Sequence, residues 1–422
     1  AIKLVFASTF FQEPKTLMDT IVHRHEEEKM AVIIMGLVGQ KHNDIFYPTF
    51  SGVAQSYNYY PVSYMKRNEG VVFTALGLGK TIVDGEKSLR FSPKYPDILS
   101  QYYSIKSTIS NSQNKFYALN MNSGINPIKS GESKNLKTYD LSVSEKDGSL
   151  KHLSSVISNE DNILRDSLKY KGCRVVTFAG ILKYERFPLS EIIIYLMKIG
   201  EKALGCPVEI EFAVNLKDNE IDEFSLLQIK PMVIGGRGQN ISISKYKNDN
   251  LLFCYSNQVL GNGVTDNIKY IMYVDPSTFE RDSTQQIADE INTLNKNLGK
   301  NKPYLLMGPG RWGTADPWLG IPVNWDSITN AKSIIEVGLD KLNPDPSFGS
   351  HFFQNLTTLR IGYFTITRKF HKKYIDWGWL KTKKPFKKTK YIRVIKLEEP
   401  LYIKIDGING EGVILKKNTS EQ

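Results

Sequence analysis

The stretch from Pro207 to Met232 constrains the fold of this chain more than any other. It reads as two extended segments, PVEIEFAV and FSLLQIKPMV, joined by the polar turn NLKDNEIDE. Side chains alternate faces along a strand, so Glu209 and Glu211 share one face while Ile210, Phe212 and Val214 share the other. On the second segment Gln228 and Lys230 form a polar pair set between Leu227, Ile229 and Met232. If the two polar faces coincide, carboxylate and amide oxygens and one ammonium converge on a single place. Mg²⁺ takes hard oxygen ligands together with phosphate, and lysine supplies a point charge, so the pair is a candidate seat for a magnesium-bound polyphosphate. A half-exposed hairpin with solvated charges is the alternative that the same alternation allows.

Three upstream segments bear on that choice. TALGLGKTIVDGEKSLRFSP, residues 74–93, holds Gly77 and Gly79 in a tight loop and Gly85 just past TIVD. Glycine permits positive φ and close backbone approach, both useful where amides must reach phosphate oxygens. Further back, MAVIIMGLVG at 30–39 is an apolar run ending in glycine, and FSGVAQS follows at 50–56. In this order the segments resemble the nucleotide-binding domain of pyruvate phosphate dikinase and phosphoenolpyruvate synthase. The resemblance covers roughly the first half of the chain.

What the resemblance implies is an α+β fold, an ATP-grasp-like mixed sheet with helices, with ATP and Mg²⁺ as cofactors. AIKLVFASTF looks like the family's helix ending in an Ala-Ser-x-Phe pattern. MAVIIMGLVG looks like the strand and hinge that lie over the adenine, which places Met35 and Leu37 there. SGVAQS resembles the Ser-Gly-Val strand, and GLGKTIVDG resembles the Gly-Leu-Gly-Glu loop, with Gly77, Gly79 and Lys80 beside the nucleotide. EIEFA is similar to the Asp-Ile-Glu-Trp magnesium strand and LLQIKP to the Gln-x-Arg-Pro strand. Carried over residue by residue, Glu211 and Gln228 fall on metal or phosphate ligands, and Glu209 takes the place of the accompanying aspartate.

Three positions depart from the pattern. Lys80 stands where the family has glutamate, Lys230 keeps a cation but lacks arginine's planar fork, and Glu209 is one methylene longer than aspartate. The family's upstream part, with a phosphate-binding lysine and an Arg-Ser-Ser segment, has no counterpart ahead of Ala1. The expectation is therefore a piece of a longer architecture holding half a nucleotide cleft.

A chain of 422 residues has room for two or three domains, and its 41% hydrophobic and 23% charged residues are those of a globular protein. The expected division is 1–235 for the partial nucleotide domain with an insertion at about 94–170, 236–365 for an α/β domain, and 366–422 for a small basic β unit. Within the insertion KFYALNM reads as a strand and NEDNILRDSLKY as a helix. RVVTFAGIL reads as a buried strand, and SEIIIYLMKIGEKALG as a helix with Ser190 as N-cap and Gly205 as its stop. PKTLMDTIVHRHEEEKM is expected to be helical, with Pro14 in its first turn. His23 and His25, two residues apart, do not share the face that a metal would need. Cys173, Cys206 and Cys254 have no metal-ligand spacing and read as reduced thiols in a cytoplasmic setting. The longest aliphatic run, IIIYLM, is too short to cross a bilayer, so no membrane role is expected.

Beyond residue 236, IKYIMYVD, DSTQQIADEINTLNKNLG and YLLMGPGRWG spell strand, helix, strand and a glycine-rich turn, a βαβ unit. Arg311 in that turn could meet a phosphate or carboxylate, or the turn could be structural and held by Trp312 and Trp318. In PSFGSHFFQNL, His351 follows a capping Ser350. By resemblance it is a candidate phosphoacceptor or phosphate ligand, with a structural histidine as the alternative.

The stretch from Arg368 to Lys396 is basic and interleaved with aromatic residues. That composition could track nucleic acid, but YIRVIKL and LYIKIDGINGEGVILK alternate like a β unit whose lysines face solvent, and the nucleic-acid reading is not favoured. The sequence thus points to an ATP-dependent phosphotransferase module passing a phosphoryl group to a histidine or small acceptor, pyruvate-like by resemblance. The rival is a module that binds nucleotide without turning it over. An oligomer is allowed by either.

Overall fold

The computed structural model describes residues 2–10, 30–59, 61, 64–122, 135–218, 220–232, 243, 246, 249–299, 302–314, 319–339, 356, 361–367, 374–407 and 409–417. The chain divides into two compact units, Ala1–Phe6 with Ala31–Met232, and Ala7–Met30 with Val233–Gln422. The fold is α+β, as the family resemblance implied.

In the first unit the strands run β1 (Gln40–His42), β2 (Ile45–Tyr47), β3 (Phe50–Gln55), β4 (Val71–Leu76), β5 (Leu89–Phe91) and β6 (Lys115–Asn120). They continue as β7 (Leu136–Asp140), β8 (Ser154–Ser158), β9 (Leu164–Arg165), β10 (Gly172–Val176), β11 (Val208–Asn215) and β12 (Glu223–Pro231). The central feature is an antiparallel sheet in the order β12-β11-β3-β4-β5, flanked by a four-stranded sheet β1-β2-β6-β7 and a three-stranded one β10-β8-β9. One face of the central sheet is apolar. Phe50, Ala54, Val72, Leu76, Ile210, Phe212 and Val214 share a core with Ile193 and Met197 of the helix Leu189–Leu204. Helix and sheet approach closely at Gly200, where an added Cβ would lie 2.5 Å from Ile229 Cδ1 and 3.0 Å from Val208 Cγ2. With that face closed by the helix, the glutamates of β11 are turned to the other.

Several local expectations are corrected. NEDNILRDSLKY forms no helix: Asn162 adopts a left-handed φ of 54°, Asn162 N–H donates to Ser158 O, and the chain turns back into β9. A two-strand hairpin wins there because Asp161 Oδ1 accepts from the Ile163 N–H within the turn. RVVTFAGIL is strand only to Val176; Phe178 takes a φ of 56° and a short helix, Ala179–Leu182, follows. The long helix starts at Leu189 with no side-chain cap, so Ser190 is inside it, while Gly205 ends it in the left-handed conformation. Residues 31–39 form no strand. PKTLMDTIVHRHEEEKM, including His23 and His25, lies outside the described residues apart from Met30.

The second unit contains β13 (Leu252–Ser256), β14 (Val259–Leu260), β15 (Gly263–Val274), β16 (Tyr304–Pro309), β17 (Arg311–Trp312) and β18 (Gly320–Ile321). After these come β19 (Ala331–Val337), β20 (Gly362–Ile366), β21 (Pro385–Lys388), β22 (Ile392–Asp406) and β23 (Glu411–Leu415). Its main sheet has the order β13-β23-β22-β15-β16-β19-β20-β14, with β21 added to β22. The β15, β16, β19 and β20 pairings are parallel and the others antiparallel. Between β15 and β16 runs the helix Thr284–Leu298, buried through Ile287, Ile291, Leu294 and Leu298, one stripe at helical spacing. The βαβ reading of this region therefore describes the chain well.

The expected separate unit at 366–422 does not form. β22 lies in the middle of the same sheet and pairs with β15 from Gly263–Ile405 to Val274–Ile392. YIRVIKL and the start of LYIKIDGINGEGVILK belong to one continuous strand, because its apolar residues find burial on β15 rather than on each other.

Candidate functional site

The β11–β12 hairpin pairs Glu209 with Lys230 and Glu211 with Gln228, directly opposite one another. Cross-strand partners point to the same side of a sheet, so all four side chains share the face away from the helix. β3 extends the first row, since Gln55 is the opposite partner of Glu209. The convergence expected from alternation alone is therefore present.

Contacts within this face are specific. Lys230 Nζ lies 2.8 Å from Glu209 Oε1 and 3.1 Å from Glu211 Oε1. Gln55 Nε2 donates to Glu209 Oε2 at 2.7 Å, so both oxygens of Glu209 are engaged. Glu209 is 5% exposed and Gln55 1%. Burial by itself would lower the Lys230 pKa, but the hydrogen bonds and charges of Glu209 and then Glu211 outweigh it, and the ammonium is held above the ordinary lysine value. Tyr59, buried nearby, has its phenol pushed upward by burial first and by the charge of Glu209 second. Gln55 and Tyr59 were not singled out from sequence. The alternation of Ser51, Val53 and Gln55 in FSGVAQS, which ends a strand face on a polar residue beside Glu209, was the signal for the first.

The residues suit a divalent ion unevenly. Glu211 is half-buried, meets Lys230 through Oε1, and has no further partner among the described residues; Gln228 opposite it is exposed. A partly exposed carboxylate and an exposed amide oxygen at the edge of a sheet fit the hard-ligand preference of Mg²⁺. Glu209 fits less well, since its oxygens are taken. Among the described residues no group of three or more histidine, cysteine, aspartate or glutamate side chains could hold a metal ion.

The glycine loop reaches the same face. Ser51, two residues along β3 from Val53, the partner of Glu211, donates its hydroxyl to Gly77 O at 2.8 Å. Gly77 has a φ of +82°, and an added Cβ would come within 2.7 Å of Tyr117 O. Gly79, in contrast, has a helical φ of −61° and opens the short helix Lys80–Val83. Lys80 pairs along that helix with Asp84 at 2.7 Å and lies 5.6 Å from the Tyr117 ring centroid. Met35 and Leu37 are 55% and 58% exposed in the strandless segment.

Arg311 belongs to the second unit, where it opens β17 after Gly310, whose φ is +70°. The neighbouring Trp312 is fully buried, its indole N–H donating to Ile335 O at 3.3 Å and its backbone N–H to Glu336 at 3.2 Å. That anchoring is what a structural turn requires. His351, Ser350 and Trp318 lie outside the described residues. Among the described residues of the basic segment, several rings are packed on other groups. Trp379 packs on Phe253 at 5.1 Å beneath Lys383 and Lys416, and Tyr374 meets Tyr255 at 4.9 Å. Among the described residues no helix is long and apolar enough to cross a membrane.

No curated protein matches this chain. Residues 1–250, more than half of it, match the family described as pyruvate phosphate dikinase, AMP/ATP-binding domain, and the chain belongs to that family.

Proposed function

We propose that the first unit binds ATP on the polar face of the central sheet and serves phosphoryl transfer to a histidine or to a small, pyruvate-like acceptor. Glu211 and Gln228 would hold Mg²⁺, which when bound neutralises charge on phosphate oxygens. Lys230 adds a fixed positive charge beside them, and the Gly77 loop, tied to Ser51, brings backbone close to the same face. Phosphoryl transfer depends mostly on positioning and charge neutralisation, so residues of these types suffice for the protein's share. The observation that carries the reading is the direct opposition of Glu211 and Gln228 beside an ammonium, within a region matched to an AMP/ATP-binding family. Three free cysteines are consistent with a reducing, cytoplasmic setting. Glu211→Ala in the full-length protein is expected to lower Mg²⁺-dependent ATP turnover by about 100-fold or more. A phosphate-release assay at saturating ATP checks this, and near-normal turnover would refute the assignment.

A second reading, nucleotide binding without turnover, is favoured by the way the cations are used: Lys80 is paired with Asp84, and Lys230 with both glutamates. Calorimetry with ATP beside an ATP-consumption assay separates the two readings.

A further inference from the structure

The position of Lys230 has a consequence for which cations this face accepts. Glu209 and Glu211 are two residues apart on one strand and point the same way, so their carboxylates could be bridged by one divalent ion. That place is filled by Lys230 Nζ, at 2.8 Å from Glu209 Oε1 and 3.1 Å from Glu211 Oε1. A bridging Mg²⁺ would need the same oxygens at about 2.0–2.1 Å, which the ammonium excludes. Glu209 cannot turn to offer a fresh oxygen, because Gln55 Nε2 holds Oε2 at 2.7 Å and the residue is buried. Gln55 supports the arrangement from within: it is 1% exposed, and its own Oε1 has no hydrogen-bond partner among the described residues, leaving one more buried acceptor in this row. In charge, two carboxylates and one ammonium leave a single negative charge, and of the two carboxylate side chains Glu211 is the more exposed, 28% against 6% for Glu209.

We infer that Lys230 is a resident counter-cation that bars a divalent ion from bridging Glu209 and Glu211 and confines metal binding to the outer edge of Glu211 with Gln228. This rests on the reading of the face as a metal and nucleotide site. Lysine suits the role as a compact point charge on a flexible stem. Removal of its charge uncovers a second, tighter cation position made by two carboxylates.

The test uses the full chain and Mn²⁺ alone as probe, without nucleotide, with free Mn²⁺ counted by electron paramagnetic resonance. Lys230→Met is expected to bind Mn²⁺ at least tenfold more tightly than wild type, and Glu209→Gln/Lys230→Met is expected to lose that gain. Wild-type affinity in Lys230→Met, or a gain that survives in the double variant, overturns the inference. Because Lys230→Met leaves a buried carboxylate without its cation, thermal melts accompany the titration. A larger Mn²⁺-induced rise in melting temperature for Lys230→Met than for wild type supports the inference, and an equal or smaller rise overturns it. Failure of the underlying reading shows separately, as ATP binding that is indifferent to Glu211→Ala.

Discussion

Gly77 and Gly79 occupy one short motif yet answer to different forces. Gly77 has a left-handed φ and a backbone oxygen where a Cβ would go, whereas Gly79 has a helical φ and only ordinary contact with Ser51 Cβ at 3.6 Å. Gly77→Ala is therefore expected to destabilise the protein by more than about 1 kcal/mol, while Gly79→Ala is neutral or slightly stabilising. Urea denaturation of the two variants checks the contrast; equal effects would contradict it. Glu209 shows the same separation between residues that look alike. It shares a strand face with Glu211, but its engaged oxygens and depth give it the part of an anchor, and the half-buried Glu211 is left to face a ligand.

At the scale of elements, the first unit is held partly by polar clasps between short pieces. Asp166, just after β9, accepts from Ser155 of β8 at 2.8 Å, from Lys183 at 2.8 Å and from Tyr184 at 3.1 Å. The hairpin is thereby tied to the end of the helix Ala179–Leu182. Burial alone would raise the Asp166 pKa; hydrogen bonds from Lys183 and Ser155 outweigh it and hold the carboxyl below its usual range. A depressed folded-state pKa contributes stability above the unfolded value, about 3.9, and that contribution is lost as pH falls through the folded value. Asp166→Asn is thus expected to melt below wild type near neutral pH, with the gap closing as the pH is taken below the ordinary carboxylate range. Thermal melts across that range measure it, and a gap constant with pH would exclude the clasp.

On the scale of the whole molecule, the second unit depends on a strand contributed late in the chain. β22 pairs with β15 on one edge and with β21 and β23 on the other. Ile395 of β22 is 1% exposed and lies opposite Ile271 in a shared core. Ile395→Ala is expected to cost about 2–5 kcal/mol. Hydrogen exchange should then quicken at Met272 and Leu306 as well as at Val394, since all three lie in one sheet. Faster exchange confined to residues after 366 would instead indicate an independent terminal unit.

Much of this was legible beforehand, and the boundary between what was and was not is physical. Alternation has a period of two and is purely local, so PVEIEFAV and LLQIKP sufficed to put Glu209 with Glu211, and Gln228 with Lys230, each on a single face of its own strand. The βαβ order of the second unit followed from equally local periodicity. Pairing between distant segments is not local. That Gln55 lies opposite Glu209, 154 positions away, and that β22 inserts beside β15 rather than folding on itself, were decided by which strands hydrogen-bond. Burial followed the same rule: residue type alone could not tell which of two glutamates would be clamped, because register and the closing helix set the depth of each carboxylate.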